Sequence, residues 1–212
     1  MFTVKHGDTI LQIDANGTLV QIIGLGEGGT IEIPHKFDKN IEIKAIGERV
    51  CGRYSFSKVI IDDEISLVCE EAFSNAKVEE VVWPAACKVI PYHCFFASAV
   101  TRVSNIDNVV EVEDAAFYGS LLQEMRWPSR CKKIPADCFG HSNLTKFENF
   151  NHITHIGIGA FAYTHISEHL NFSQCCIDYI GACAFLNIYP GDITLPYYFN
   201  KEGLFGREYE DY

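Results

Sequence analysis

The chain has no run of eighteen apolar residues, so no segment of it reads as a helix that crosses a membrane. Basic side chains are few: 17 Lys and Arg stand against 28 Asp and Glu, a net charge of −11. A chain built to hold nucleic acid would carry a basic footprint instead. Charged residues make up 21% and apolar residues 48%, which excludes a disordered polymer and a collagen-like fibre. The opening Met1-Phe2-Thr3-Val4-Lys5-His6-Gly7-Asp8 lacks a basic stretch followed by an apolar block, and no secretory signal is read from it. No Cys-x-x-Cys occurs, so the usual spacing of a structural zinc site is missing.

What the 212 residues do have is a repeat. An Ala-Phe or Cys-Phe pair recurs with Phe at 73, 95, 117, 139 and 161, each 22 residues from the last. Phe185 follows after 24, and Cys51 holds the same place one period before Phe73. Five positions after this anchor come Phe56, Val78, Val100, Leu122, Leu144 and Ile166. Eight after come Val59, Val81, Val103, Met125, Phe147 and, as a departure, His169, which is expected to be a satisfied core imidazole. Fourteen after come Ile65, Cys87, Val109, Cys131, Ile153 and Cys175. Seventeen after come Val68, Ile90, Val112, Ile134 and Ile156, with a slip of two to Ile180 in the sixth turn.

A unit this short cannot bury its apolar edge alone, but copies of it can by stacking. The expected fold is therefore a solenoid, mostly parallel β with short turns. Each coil contributes a strand such as Val78-Glu-Glu-Val-Val-Trp83 or Leu122-Gln-Glu-Met-Arg-Trp127, about 4.8 Å from its neighbour. Pro84, Pro128 and Pro196 each close a strand, where no further ladder donor is needed. The residue before each anchor is small (Val50, Ala72, Cys94, Ala116, Cys138, Ala160, Ala184), as a tight convex bend against the next coil requires.

This pattern resembles the BspA-type leucine-rich repeats. The residues that carry the resemblance are Ile31-Glu-Ile-Pro34 with Ala45-Ile-Gly47, Val81-Val-Trp-Pro84 with Val89-Ile90 and Cys94-Phe95, and Ile156-Gly157 with Ala160-Phe161. The chain departs from the pattern in that isoleucine outnumbers leucine 23 to 11, and the Gly after the inward Ile is replaced by Pro91, Glu113 or Pro135. The resemblance implies a leucine-rich-repeat solenoid, and coil interiors packed by Phe, Ile and Val leave no pocket for catalysis, so a non-enzymatic recognition surface is expected. The resemblance also implies adhesion at a cell surface, with a host extracellular-matrix or cell-surface protein as partner.

A second period of 44 overlies the first. Trp83-Pro-Ala-Ala-Cys-Lys-Val-Ile-Pro-Tyr-His-Cys-Phe95 matches Trp127-Pro-Ser-Arg-Cys-Lys-Lys-Ile-Pro-Ala-Asp-Cys-Phe139, while the coils between carry Asn105-Ile106 and Asn149-Phe150. Large Trp and small Asn are expected to interleave along the core.

Residues 1–29 read as an amino-terminal capping hairpin, because Thr9-Ile-Leu-Gln-Ile13 and Thr18-Leu-Val-Gln-Ile-Ile23 flank the turn signal Asn16-Gly17. Residues 30–197 read as the solenoid of about seven coils, with a loop of six extra residues at His35 to Asn40. Residues 198–212 read as a tail, and Gly24 to Gly29 as a turn between cap and first coil.

No catalytic, metal or cofactor site is read. The nine cysteines share no offset in adjacent coils, and stacked positions two coils apart lie about 10 Å from each other, too far for a disulfide. They read as small buried filler, which fits a reducing compartment and so an intracellular adaptor as the rival reading. His141, His152, His155, His165 and His169 fall at scattered offsets and form no vertical stripe. Three acceptor patterns for glycosylation begin at Asn16, Asn143 and Asn171, the last expected to point inward.

The candidate binding site is a charged ladder. Seven residues after each anchor stand Lys58, Glu80, Arg102, Glu124, Lys146 and Glu168, alternating in sign so that opposite charges meet on neighbouring strands. Two positions on lie Ile60, Val82, Ser104, Arg126, Glu148 and Leu170. Together Lys58, Glu80, Arg102, Glu124, Arg126, Lys146, Glu148 and Glu168 form an expected concave strip for another protein (or a glycan). Ile106, Phe150 and Phe172 would add an apolar patch beside it if they faced outward.

Overall fold

The computed structural model describes residues 1–6, 9–24, 29–38, 41–52 and 54–206. Each 22-residue period completes one turn of a parallel β-solenoid of about seven coils. Among the described residues there is no α-helix, and a single 3₁₀ turn spans Pro190–Asp192.

Two strand ladders run along the stack. The long ladder begins with Thr30–Ile33, Ser55–Ile61, Lys77–Val82 and Arg102–Ser104, continues as Glu124–Arg126 with Lys146–Glu148, and ends with Leu170–Asn171 paired to Ile193–Thr194. Register places Val59, Val81 and Val103 side by side, and Met125 beside Phe147, so that each apolar position lies over its predecessor. The short ladder is made of two-residue strands, among them Leu67–Val68, Val89–Ile90, Glu111–Val112, Lys133–Ile134 and His155–Ile156.

The third side of each coil is the anchor turn. Phe73, Phe95, Phe117, Phe139, Phe161, Phe185 and Phe205 form one column with ring centroids 5.2 to 5.8 Å apart. The small residues that precede the anchors are fully buried beside it. Residues two before and two after each anchor from Phe73 to Phe185 adopt left-handed backbone, for instance Ala115 and Gly119 around Phe117, or His93 and Ala97 around Phe95. This alternation aims three N–H groups per coil at the next one: those of His93, Phe95 and Ala97 reach the carbonyls of Asp114, Ala116 and Tyr118. The left-handed residues cost about 1–2 kcal/mol each, and the hydrogen bonds between successive anchor turns, three at each junction from Phe73 to Phe185, offset that cost.

At the amino terminus, Thr9–Ile13 and Thr18–Gly24 pair antiparallel across the expected turn, where Asp14 accepts the N–H groups of Asn16 and Thr18, both at 2.8 Å. A third strand, Phe2–His6, adds to the outside of this hairpin, and Thr18–Leu19 then run parallel to Ala45–Ile46, covering the first edge of the short ladder. Residues 25–28 of the glycine-rich turn lie outside the described residues. At the other end Leu204 and Phe205, within the stretch read as a tail, are buried against Phe185.

Several expectations need correction. The insert after His35 is not a plain loop, since Lys36–Asp38 and Ile41–Glu42 pair antiparallel. Asn105 and Asn149 do not interleave with Trp in the core. They take left-handed backbone, and their side-chain amides donate at 2.7 Å to the carbonyls of Trp83 and Trp127. In the sixth coil the register slips by one: Leu170 is buried and pairs with Ile193, while His169 is exposed and meets Thr194 Oγ1 through Nε2 at 2.8 Å. The same slip turns Asn171 outward and Phe172 fully inward. Ile106 is buried as well and Phe150 packs half-buried on Phe147, so these three residues do not form the expected apolar patch beside the charged strip.

Candidate binding face

The charged strip sits on the long ladder, where outward positions flank the core position of each short strand, as in Glu124–Arg126 and Lys146–Glu148. Register brings Lys58 beside Glu80, Glu80 beside Arg102, and Glu124 beside Lys146. Contact is more selective than adjacency. Lys58 Nζ lies 3.2 Å from Glu80 Oε1, which also accepts the Ser104 hydroxyl at 3.2 Å. Lys146 does not pair across the ladder with Glu124 but along its own strand with Glu148, at 2.8 Å. That hydrogen bond and charge hold the Lys146 ammonium above its ordinary range and the Glu148 carboxyl below the usual carboxylate range, with Arg126 adding to the latter. Arg102 and Arg126 are exposed and, among the described residues, form no ion pair. Glu124 and Glu168 are likewise exposed and unpaired.

The ladder is not continuous. Strands Lys146–Glu148 and Leu170–Asn171 do not pair, nor do Arg102–Ser104 and Glu124–Arg126, and at this second break lies a cleft of about 630 Å³ that reaches Lys146 and Glu148. Two hydrogen bonds found elsewhere on the ladder are missing here. Thr101 N–H donates to Glu79 and Thr145 N–H to Gln123, but Gln123 N–H has no such bond to Thr101. Trp83 N–H donates to Ser104 and Trp127 N–H to Glu148, but Asn105 N–H does not reach Arg126. The left-handed conformation of Asn105 turns its N–H away, a conformation that asparagine tolerates better than most residues.

The short ladder opens at the same junction, between Glu111–Val112 and Lys133–Ile134, for a different reason. The N–H after each inward residue bonds back to the previous coil, as from Cys69 to Ile46, Glu113 to Ile90 and Gly157 to Ile134. Pro91 and Pro135 occupy that position in the remaining coils and have no N–H to give. The cleft beside Pro135, about 780 Å³, is lined by Tyr92, Val110, Lys132, His155 and Tyr179 among others. Neither cleft was anticipated from the sequence, although Pro135 and Asn105 were the signals for them.

His35 lies between two carboxylates, Asp62 at 3.1 Å and Glu64 at 3.0 Å, whereas three of the later histidines are each held by one partner. His152 Nε2 meets the Pro128 carbonyl at 3.0 Å, His155 Nδ1 the Thr154 hydroxyl at 2.9 Å, and His165 Nδ1 the Ser142 carbonyl at 3.3 Å. Among the described residues no three His, Cys, Asp or Glu gather as metal ligands would. All nine cysteines are free thiols. Burial pushes Cys51 up to about 12 and Cys94 and Cys138 well above the ordinary thiol range, so these act as apolar filler. Cys176 alone is exposed.

The family model for the BspA type leucine rich repeat region matches residues 66–191 in six copies. No curated protein matches the chain. Among solved structures it is similar to a leucine rich cell surface protein from Faecalibacterium prausnitzii, at 22% identity and a TM-score of 0.66, over 88% of this chain and 52% of that one. It is also similar to a leucine-rich repeat protein from Bacteroides ovatus, at 14% identity and a TM-score of 0.63, over 90% of this chain and 60% of that one. The chain thus spans half to three-fifths of the length of these two proteins, and at such identities the likeness establishes the fold. With six matched repeats covering more than half of its length, the chain belongs to the BspA-type leucine-rich-repeat family.

Proposed function

We propose that this array is a non-enzymatic recognition surface for another protein, divided as a cap over 1–29, a solenoid over 30–197 and a tail over 198–212. The observation that carries this reading is the pair of exposed, uncommitted guanidiniums, Arg102 and Arg126, on a strand face whose backbone is already ordered. A rigid face of this kind binds without a further loss of backbone entropy. Adhesion at a cell surface, to a host matrix or surface protein, is the role we favour, supported by the name of the Faecalibacterium prausnitzii relative as a cell surface protein. The second reading is an intracellular adaptor, and nine free cysteines favour it.

A pull-down with the intact array, beside a variant carrying R102E, R126E and K146E, tests the face. Capture of a partner by the parent and its loss by the variant is the expected result, and capture unchanged by the reversals would remove this face from consideration. Thiol titration of freshly isolated protein separates the two locations: nine reactive thiols after unfolding support the adaptor, bridged cysteines the exported form.

A further inference from the structure

We infer that the cleft between strands Arg102–Ser104 and Glu124–Arg126 holds an extended peptide segment of the partner by an acidic side chain. This inference rests on the protein-recognition reading above and narrows it to one place and one chemistry.

The junction concerned is unlike the others. Among the described residues it is the one where both ladders are interrupted, while the anchor column and its three turn hydrogen bonds run on undisturbed. On the long-ladder side the interruption leaves two donors, the N–H groups of Gln123 and Asn105, and two acceptors, the carbonyls of Thr101 and Arg126, around a single cleft. Main-chain groups left at a strand edge are the ones an extended peptide satisfies. Partly buried Val103 and buried Met125 supply an apolar floor.

The charges choose the ligand. Arg102 and Arg126 line this cleft without a carboxylate partner, whereas both lysines of the ladder, Lys58 and Lys146, are paired. Guanidinium groups bind carboxylates in bidentate fashion, about twice as strongly as neutral hydrogen bonds. The cleft also carries Asp107 and Glu124, which repel a polyanion such as nucleic acid or a sulfated glycan. A single carboxylate on an otherwise neutral peptide can sit against the two guanidiniums and meets far less of that repulsion than a polyanion does. The side-chain amide of Asn105 is tied to Trp83 O and to Asp63 Oδ1, at 2.7 and 3.0 Å, so this wall of the cleft is held in place before any ligand arrives.

A random heptapeptide display library, selected in parallel on the intact array, on R102A/R126A and on K58A, provides the test, with circular dichroism verifying that each variant is folded. Selected peptides should be enriched in Asp or Glu, lose at least tenfold in affinity on R102A/R126A and bind K58A as they bind the parent. In nitrogen-15 spectra the strongest of them should shift the amides of Gln123 and Asn105. Selection of nothing, selection without acidic enrichment, indifference to the two arginines, or tighter binding of a heparin-derived oligosaccharide would each overturn the proposal. A partner pull-down that survives R102A/R126A removes only the cleft, whereas the absence of any captured partner strikes the recognition reading beneath it.

Discussion

The rings of Phe95 and Phe117 lie 5.2 Å apart and within 5° of parallel, at the junction where both strand ladders open. There the two halves of the array are joined through the anchor column and its turn hydrogen bonds, not through the sheets. Replacing Phe117 by Ala removes contacts to two stacked neighbours, Phe95 and Phe139, inside a fully buried column. Urea unfolding should show a loss of about 3–5 kcal/mol, and a loss below about 1 kcal/mol would mean that the column contributes little. Phe205, which stacks on Phe185 alone among the anchors, should cost less on the same change.

Asn149 does two things at once: it accepts a left-handed backbone and donates to the Trp127 carbonyl at 2.7 Å. Asn149→Ala should therefore destabilise the chain by about 2 kcal/mol, from an unsatisfied acceptor together with left-handed strain. Asn149→Gly relieves the strain but not the lost amide, so about 1 kcal/mol of the loss should persist. Equal losses for the two variants would show that only one of these roles matters.

Gly157 is needed for close approach rather than for an unusual φ. A Cβ there would lie 2.4 Å from the Ala136 amide nitrogen and 2.5 Å from the Pro135 carbonyl carbon, both of them backbone of the preceding coil. Gly157→Ala should push the two coils apart and cost about 1–3 kcal/mol, read as a lower melting temperature. Gly29, with open space around its position, is the control and should tolerate Ala within about 0.5 kcal/mol.

Thiol burial makes stability fall in alkali. Cys51 titrates at about 12 in the folded chain, against an ordinary value of 9.0, because burial disfavours its thiolate. The native state thus keeps a proton that the unfolded state releases, so stability is complete below about pH 9 and declines as pH rises toward 12. Cys94 and Cys138, shifted in the same direction by burial, steepen that decline. Denaturant midpoints measured from pH 7 to 11 should drop above pH 9, and a C51A variant should show a shallower drop. At pH 8 a thiol reagent should modify exposed Cys176 quickly and Cys94 and Cys138 only on unfolding.

The 22-residue spacing of Phe, the inward offsets at five, eight, fourteen and seventeen, and the charge of the outward residues were all legible along the chain, because a repeating backbone returns each offset to the same side of the coil. Residues that break the spacing were harder to place. His169 kept the numerical offset of a core residue, but the register moved by one and Leu170 took the buried place, since a buried Leu and an exposed His cost less than the reverse. Asn105 looked like a small core filler because its amide partner, the Trp83 carbonyl, belongs to the coil before it.

By itself the sequence determined that there is a solenoid, where its core column runs and which side chains of the regular coils face water, since all of these follow from periodicity within one chain. Only the tertiary structure decided where the coils part. Whether Lys146 turns to Glu148 or to Glu124, whether Pro135 and Asn105 interrupt the same junction, and what cleft is left between their coils depend on hydrogen bonds between segments 22 residues apart, which no single repeat contains.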